Sequence, residues 1–291
     1  MRLTDTLIAA ITDIAVNGFN SEIAINRWLM QLQNALKNYS VNLPVARSLV
    51  EKSMTQAFER HFFDAHGNPS GKFLERNKGI DAFTLQRLKP KARSKLQERI
   101  VQNASLIVLE RDAAVADTLK RFQGWTTGQV AAKQLLTKAQ IKEQAKALIK
   151  PISDTPADFV PRRRAIDQNA KMVAAVNDVI AEDGQALSMT WHQNWSANPR
   201  NAENAGKKHR LDPDRNHEQF DGKTFIRKEC WAVKEGLLKK GDLPFLEDLQ
   251  VMPGQNVYCG CTASYDYSLT ALYRIRPDAF TQKGLERIGK G

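Results

Sequence analysis

Residues 215–261 constrain the fold of this chain more than any other stretch. They contain His217, the pair Asp221-Gly222, and all three cysteines: Cys230 and the closely spaced Cys259 and Cys261. An Asp-Gly pair between short apolar arms predicts a two-residue hairpin turn with positive φ at both central residues. Cysteines two positions apart on a strand point to the same face, a spacing that suits two ligands of one metal better than a mutual disulfide. The stretch therefore predicts that a histidine and two thiols meet in space.

A structural zinc site is one interpretation of these residues. His217, Cys259 and Cys261, with Cys230 as the fourth ligand, would form a closed site of three thiolates and one imidazole. Such a site would fasten a hairpin to a strand in a small domain. Two alternatives remain open. In the first, the cysteines are buried simply as small apolar residues, as cysteine often is. In the second, His217 anchors the hairpin through a bond to Asp221 or Asp214.

The order of residues in the C-terminal half carries a family resemblance. The residues concerned are Trp191, Trp195, Arg215, His217, Asp221, Gly222, Pro253, Cys259 and Cys261. Over roughly residues 125–265 they resemble the C-terminal domain of phage Mu F-type minor head proteins, also called head morphogenesis proteins. The family pattern is a Trp-containing strand, an Arg followed closely by a His, an Asp-Gly turn, a Pro and a Cys-x-Cys. Here Gly260 replaces the usual basic residue between the cysteines, and residues 200–214 add polar length before the histidine.

The resemblance implies a role in assembly. Proteins of this type are minor components of the phage head that associate with the portal and assist head assembly and DNA packaging or delivery. It therefore implies the portal protein and other head proteins as partners, double-stranded DNA nearby, no catalytic residues and no small-molecule substrate. It assigns Arg215, Asp221 and Gly222 to the motif that defines the fold. The expected location is the virion, at the head interior or portal vertex, and the host cytoplasm during assembly.

Basic charge is concentrated in the N-terminal part of the chain. The net charge is +11, and residues 72–99 contain nine Lys or Arg against three Asp or Glu. A basic helical arm of this kind suits a polyanion, with an affinity that falls as salt rises. Nucleic-acid contacts are predicted at Lys89, Lys91, Arg93, Lys95, Arg162, Arg163 and Arg164. The alternative interpretation is a solvated helical surface.

Apolar periodicity predicts the fold class. Helical spacing predicts helices over residues 3–16, after Ser21, from Leu43, over about 90–122 and over 165–182, and Thr137 to Gln140 matches a capping box. Alternation over residues 187–195 predicts a strand that buries both tryptophans. The fold class is α+β: a mostly helical, basic N-terminal region at 1–160, then a small mixed domain at 161–291 with a short antiparallel sheet. Three prolines between 151 and 161 mark the boundary.

Composition narrows the functional classes. The 42% apolar and 26% charged content is that of an ordinary globular protein. No apolar run approaches the roughly 18 residues that a bilayer span requires, and the N-terminus lacks the pattern of a secretory signal. We therefore expect no membrane partner and a protein that stays in the cytoplasm where it is made. An odd number of cysteines argues against a disulfide framework.

An enzyme remains the alternative function. His217 with Arg215, Glu218 and nearby basic residues could form a nuclease-like centre on nucleic acid, and a Cys-His pair could supply a nucleophile. The sequence contains neither a Gly-x-Ser-x-Gly elbow nor a His-Glu-x-x-His helix. We therefore expect no catalytic residues and keep a nucleic-acid-processing enzyme as the second hypothesis.

Overall fold

The computed structural model describes residues 3–17, 22–37, 42–64, 66–132, 136–153, 159–193, 217–254 and 261–291. Near some helix ends, residues 159–166 among them, it describes the backbone but not the side chains. The architecture is mostly helical with one three-stranded antiparallel sheet, which confirms the predicted α+β class. Within these ranges every helix is too short or too polar to span a lipid bilayer.

The chain divides into two compact units, each built from two separate stretches. The first unit contains residues 1–50 and 101–163, and the second contains residues 51–100 and 164–291. The predicted division, in contrast, placed all of residues 1–160 in one helical region. The difference arises because residues 51–100 pack with the sheet-bearing half of the chain. For example, the side-chain oxygen of Asn77 accepts the backbone N–H of Tyr265 at 2.8 Å across 188 residues. A contact over that separation leaves no local sequence pattern.

Amphipathic helices build the first unit. They are α1 (Leu3–Asn17), α2 (Glu22–Leu36), the second part of α5 (Ala82–Ala132) and α6 (Lys138–Ser153). Their apolar stripes share one core that includes Leu7, Ile11, Leu32, Phe122 and Ala145. The helix predicted over residues 3–16 is therefore confirmed.

The predicted capping box also forms. The N–H of Gln140 donates to the hydroxyl of Thr137 at 3.3 Å, and the Gln140 side-chain oxygen accepts the N–H of Thr137 at 2.9 Å. These reciprocal bonds satisfy backbone N–H groups that have no partner within the helix, which explains why α6 begins at Lys138.

Helix α5 is longer than predicted at both ends. It begins at Ala82, where Asp81 accepts the N–H of Thr84 at 2.6 Å, and it contains Pro90 in its interior. The sequence, in contrast, predicted a start at about Pro90. Burial of Leu85 and Leu88 on the preceding turns stabilises the helix on the N-terminal side of the proline.

The two glycines at 124 and 128 predict a break in the helix, and this break does not occur. The helix continues to Ala132, and the indole N–H of Trp125 donates to the side chain of Gln144 on α6 at 2.8 Å. The Trp125 ring also stacks on Phe122, with 5.9 Å between ring centroids. These contacts, which the local composition does not show, outweigh the weak helix propensity of Gly124.

The second unit combines helices with the sheet. Its elements are most of α3 (Leu43–Phe62), α4 (Gly71–Arg76), the first part of α5, α7 (Phe159–Asp183), β1 (Ser188–His192), β2 (Thr224–Ile226), α8 (Trp231–Lys234), β3 (Thr262–Asp266), α9 (Leu269–Tyr273) and α10 (Gln282–Arg287). The sheet order is β2-β1-β3, with both pairs antiparallel. Strand β1 is therefore the central strand, and the remaining edge of β3 bonds to the loop after α4, where Tyr267 donates its N–H to the carbonyl of Lys78 at 2.7 Å.

Alternation along the strands gives the sheet one apolar and one largely polar face. Met189, Trp191, Phe225 and Tyr265 share the apolar face and form one core cluster. The other face carries cross-strand polar pairs: the hydroxyls of Thr190 and Thr224 are 2.7 Å apart, and Ser188 donates to Asp266 at 3.1 Å. His192 contacts Ser264 at 2.7 Å on the same face and is exposed, as the alternation predicts.

A buried arginine near the C-terminus ties three segments of the second unit together. The guanidinium of Arg276 donates to both carboxylate oxygens of Asp278 at 2.8 and 2.6 Å. It also donates to the carbonyl of Lys240 at 2.9 Å and to the carbonyl of Thr224 on β2. The hydrogen bonds from Arg276 hold the pKa of Asp278 at about 2, below its ordinary value of 3.8. Charge-assisted and bidentate bonds of this kind are among the strongest that side chains make.

Substitution of Arg276 by Met should therefore destabilise the protein. We expect the free energy of unfolding at pH 7 to fall by about 3 kcal/mol, because the change leaves two carbonyls and a carboxylate without their donor. Urea unfolding measures this loss. The matched control is Arg274→Met, an exposed arginine two residues away, which should change the free energy of unfolding by less than about 0.5 kcal/mol.

The same pair of proteins gives a pH test. Because the pKa of folded Asp278 is depressed, its contribution to stability is complete above 3.8 and is lost as pH falls through about 2. The stability difference between wild type and Arg276→Met should therefore shrink over that interval. A difference that stays constant would assign the whole contribution of Arg276 to its bonds with the two carbonyls.

Candidate functional site

The candidate site lies at one end of the apolar sheet face, around Trp191. This side chain is fully buried on the central strand β1, next to the pairing partner of that position, Ala263 on β3. Helix α7 borders strand β3, since the side-chain amide of Asn177 donates to the carbonyl of Ala263 at 3.0 Å. The predicted burial of Trp191 is thus confirmed, and its position follows from the register of the sheet.

The site brings together a histidine and a thiol that are distant in sequence. Nδ1 of His217 lies 3.4 Å from Sγ of Cys261, and both residues are buried. His217 begins a 3-10 turn (His217–Phe220), and Cys261 immediately precedes β3. The imidazole ring meets Trp191 edge to face, with 5.1 Å between ring centroids. The predicted meeting of His217 with Cys261 is therefore confirmed.

Aromatic packing closes the site on the side of the 3-10 turn. The ring of Phe220 lies 4.9 Å from Trp191 and 6.0 Å from Phe225, and 6.4 Å from His217. Such tilted and edge-to-face pairs are favourable arrangements of aromatic rings. The indole N–H of Trp191 is buried and finds no hydrogen-bond partner among the described residues. The imidazole is thus held within an aromatic cluster, where it acts as a packing group.

The Asp-Gly turn forms, but its geometry differs from the predicted hairpin. Lys223 donates its N–H to the carbonyl of Phe220 at 3.0 Å, which closes a four-residue turn. Gly222 has a φ of +71°, whereas Asp221 is not among the described residues with positive φ. The prediction of positive φ at both positions is therefore wrong. The reason is that a 3-10 turn, rather than a strand, precedes the pair, so no two-residue hairpin is formed.

Backbone and side-chain bonds attach this turn to the central strand. The N–H of Gly222 donates to the carbonyl of Trp191 at 2.9 Å, and the N–H of Trp191 donates to the carbonyl of Lys223 at 3.0 Å. Asp221 accepts the N–H of Gln193 at 2.7 Å. Asp221 therefore anchors the end of β1, whereas the sequence had considered it as a partner of His217.

Cys230 lies outside the site. It belongs to a separate core cluster with Leu187, Ile226 and Leu238, whereas Cys261 packs with Met189 and Trp191. Its assignment as a fourth metal ligand stays a prediction without support from this packing, since Cys230 precedes helix α8 and packs there as a small apolar residue. Burial raises the pKa of the Cys230 thiol, consistent with an inert side chain.

The described residues supply two of the predicted metal ligands at one place. His217 and Cys261 are close together, while Cys259 and Arg215 lie outside the described residues, as does Trp195. Within the described ranges, no three His, Cys, Asp or Glu side chains are grouped so as to hold a metal ion. A closed tetrahedral zinc site needs four ligands, so zinc stays a prediction that depends on Cys259 and a further donor.

The predicted nucleic-acid contacts on α5 all have partners within the chain. Lys91 pairs with Asp183 at 2.7 Å, Arg93 with Glu59 at 3.2 Å, and Lys95 with Glu98 at 2.9 Å. The Lys91 and Arg93 side chains nevertheless remain more than half exposed, at 65% and 58%. Exposed ion pairs of this kind contribute little to stability. Both cations therefore stay accessible to phosphate.

Lys89 and the arginine run differ from these residues. Lys89 donates to the carbonyl of Gly67 at 2.6 Å and lies 4.4 Å above the ring of Phe63, so it holds the loop between α3 and α4 in place. Arg162, Arg163 and Arg164 lie in the first turns of α7, where the side chains are outside the described residues.

A second polar cluster, which the sequence does not indicate, lies on the apolar face of the sheet. The hydroxyl of Tyr265 donates to Asp178 on α7 at 3.3 Å, and partial burial raises the pKa of this aspartate. The charge of Arg227 opposes that shift. An acid in the middle of a helix and a tyrosine on a strand 87 residues later give no local indication that they meet.

Binding of any metal should require Cys261 and His217 and should not require Cys230. Any zinc that purifies with the chain is expected to be lost in Cys261→Ser and in His217→Ala, because these are the predicted ligands that the structure brings together. It should be retained in Cys230→Ser, the matched control. Elemental analysis of the three proteins measures this. Zinc that disappears with Cys230 would contradict the placement of that residue.

Comparison of the chain with models of known protein families, with curated proteins and with solved structures finds no match.

Proposed function

We propose that this protein is a minor head protein of a phage, similar to the Mu F type, that associates with the portal or inner capsid. In this role it assists head assembly and the packaging or delivery of DNA. The observation that carries the proposal is the convergence of the motif residues in space. Trp191, His217, the Asp221-Gly222 turn and Cys261 come from separate parts of the sequence and meet around the end of one strand.

This convergence supports an assembly module, because the described motif residues around Trp191 have structural tasks. The tryptophan and histidine pack edge to face in the core. The Asp-Gly turn, with Lys223 directly after it, bonds to both the N–H and the carbonyl of Trp191 on β1. If the chain shares its fold with the Mu F type, the motif residues must contact one another although they are far apart in the sequence. Residues of the same types placed in unrelated layers would have removed the basis for the resemblance.

Contact with double-stranded DNA is the second part of the proposal. The exposed cations Lys91 and Arg93 lie on α5 in the second unit, and the chain as a whole carries a net charge of +11. Accessible Lys and Arg side chains on a helix bind backbone phosphates without sequence preference. A head protein near packaged DNA would meet such phosphates at high density.

The alternative hypothesis, a nuclease-like enzyme centred on His217, receives less support. Only 5% of this residue is exposed, and its ring is enclosed by Trp191 and Phe220. A general base must come within hydrogen-bond distance of its substrate proton. An imidazole in this environment would need the aromatic cluster to open before it could approach a phosphodiester.

Deletion of the gene from the phage that encodes it tests the function. We expect mass spectrometry of purified wild-type particles to detect the protein at a few copies per head, and deletion to lower the fraction of DNA-filled heads in electron micrographs. Genes for a portal protein and a terminase should lie beside the gene. Particles that lack the protein, together with a genomic setting without head genes, would overturn the proposal.

A salt series tests the DNA contact separately. The affinity of the full chain for a duplex should fall linearly on a log–log plot, and Lys91→Ala combined with Arg93→Ala should reduce the slope by about two. Lys239→Ala combined with Lys240→Ala, two exposed lysines outside α5, should leave the slope closer to that of wild type. Equal slopes in all three proteins would show that the α5 cations do not contact phosphate.

A further inference from the structure

Helix α5 carries an exposed apolar stripe within the first unit. It consists of Leu106, Leu109, Ala113 and Ala116, which we call the α5 seam. All four side chains are exposed, and the two leucines are 43% and 63% exposed. Their spacings of three, four and three residues place them on one face of the helix, in the repeat that packs against a second helix in coiled coils. At 1.5 Å per residue the seam is about 15 Å long, or three helical turns.

The seam lies opposite the face that α5 already uses for folding. On that other face, Val115, Leu119 and Phe122 pack against the core of the first unit. An amphipathic surface helix normally presents polar residues on its outer face, so a second apolar stripe there is unnecessary for the fold. Most of the large apolar side chains that are exposed in the described part of the chain also belong to this unit, Met30 and Leu49 among them. Exposed apolar surface of this kind marks an interaction site.

Charge beside the seam indicates what the seam contacts. Over the length of the seam, Glu110 and Asp117 flank it on one side and Asp112 on the other, and the cations Lys120 and Arg121 lie beyond its C-terminal end. A second copy of this chain would place these acidic flanks against one another, whether the two helices ran parallel or antiparallel, and like charges at such positions oppose pairing. Nucleic acid and anionic lipid would be repelled for the same reason. The acidic flanks match a helix that carries Lys or Arg on either side of its own apolar stripe.

We propose that the α5 seam binds an amphipathic helix of a partner protein whose apolar stripe is flanked by basic residues. The leucines at 106 and 109 enter holes on the partner helix, and the small side chains at 113 and 116 leave room for large apolar residues of the partner. Gln102 and Lys120 occupy the next positions of the repeat and end the seam at about three turns. The inference is independent of the proposed function, because it uses only the exposure, spacing and charge of one helix.

Two synthetic peptides test the proposal. Each is a helix of about 20 residues, long enough to be helical in water, with the same leucine stripe and either lysine or glutamate at the flanking positions. Fluorescence anisotropy measures their binding to the full chain. We expect the lysine peptide to bind about tenfold or more tightly than the glutamate peptide, with an advantage that falls as salt rises.

Matched variants locate the binding surface. Leu106→Gln combined with Leu109→Gln should weaken binding of the lysine peptide about tenfold or more, and Leu109→Gln alone should act in the same direction. Leu49→Gln is the control, because Leu49 and Leu109 are equally exposed, at 63% each, in the same unit. Asp112→Lys combined with Asp117→Lys should reverse the preference to the glutamate peptide, an outcome that loss of structure would not produce. Circular dichroism verifies the fold of each variant.

Three results would overturn the inference. The first is equal or no binding of the two peptides to wild type. The second is binding that Leu109→Gln leaves unchanged. The third is a concentration-dependent dimer of wild type, seen in sedimentation and abolished by Leu109→Gln, which would assign the seam to a second copy of the chain.

Discussion

Pairing of β1 on both of its edges is the constraint on which the second unit depends. The strand bonds to β2 on one side and to β3 on the other, and both partners lie far along the chain. Three strands are about the smallest sheet that is stable with one packed face, so loss of either pairing would remove the platform for the apolar cluster. The register matters as much as the pairing, since a shift of one residue would turn Trp191 toward the polar face.

The candidate site follows from that register. Once Trp191 points into the apolar face, the turn that bonds to its backbone places Phe220 and His217 over its ring, and the start of β3 brings Cys261 to the imidazole. The site is therefore a junction between three segments. Arg276 performs a comparable task through hydrogen bonds, since it joins β2 to the loop after Lys240 and to Asp278. The junction at Trp191 depends on aromatic packing, and the junction at Arg276 depends on charge. Both hold together segments that lack long helices or strands.

The two units use their charged and apolar surfaces differently. On the second unit, the exposed cations of α5 are paired with acids of the same unit but remain open to solvent. On the first unit, the same helix presents an apolar seam between acidic residues. A single helix of 51 residues thus changes its surface chemistry along its length. The two proposals for this helix follow from that change: phosphate contact for the basic part, and a basic amphipathic helix for the α5 seam.

Local pattern was sufficient for much of the fold. Apolar spacing located α1 and α7, the hydroxyl and amide at 137 and 140 located the start of α6, and alternation placed Trp191 inward and His192 outward. It was misleading where a contact distant in sequence outweighed a local preference. For example, Pro90 lies inside α5 because the neighbouring Leu85 and Leu88 are buried.

The sequence by itself determined the fold class, most helices, the inward tryptophan and the meeting of His217 with Cys261. The first three depend on the periodicity of side chains, and the last on the order and spacing of the histidine and the cysteines. Only the tertiary structure decided that residues 51–100 pack with the C-terminal half, that Cys230 belongs to another core, and that Asp221 anchors β1. The physical reason is the same in each case. Packing between segments that are distant in the chain selects one of several partners that the local sequence permits equally.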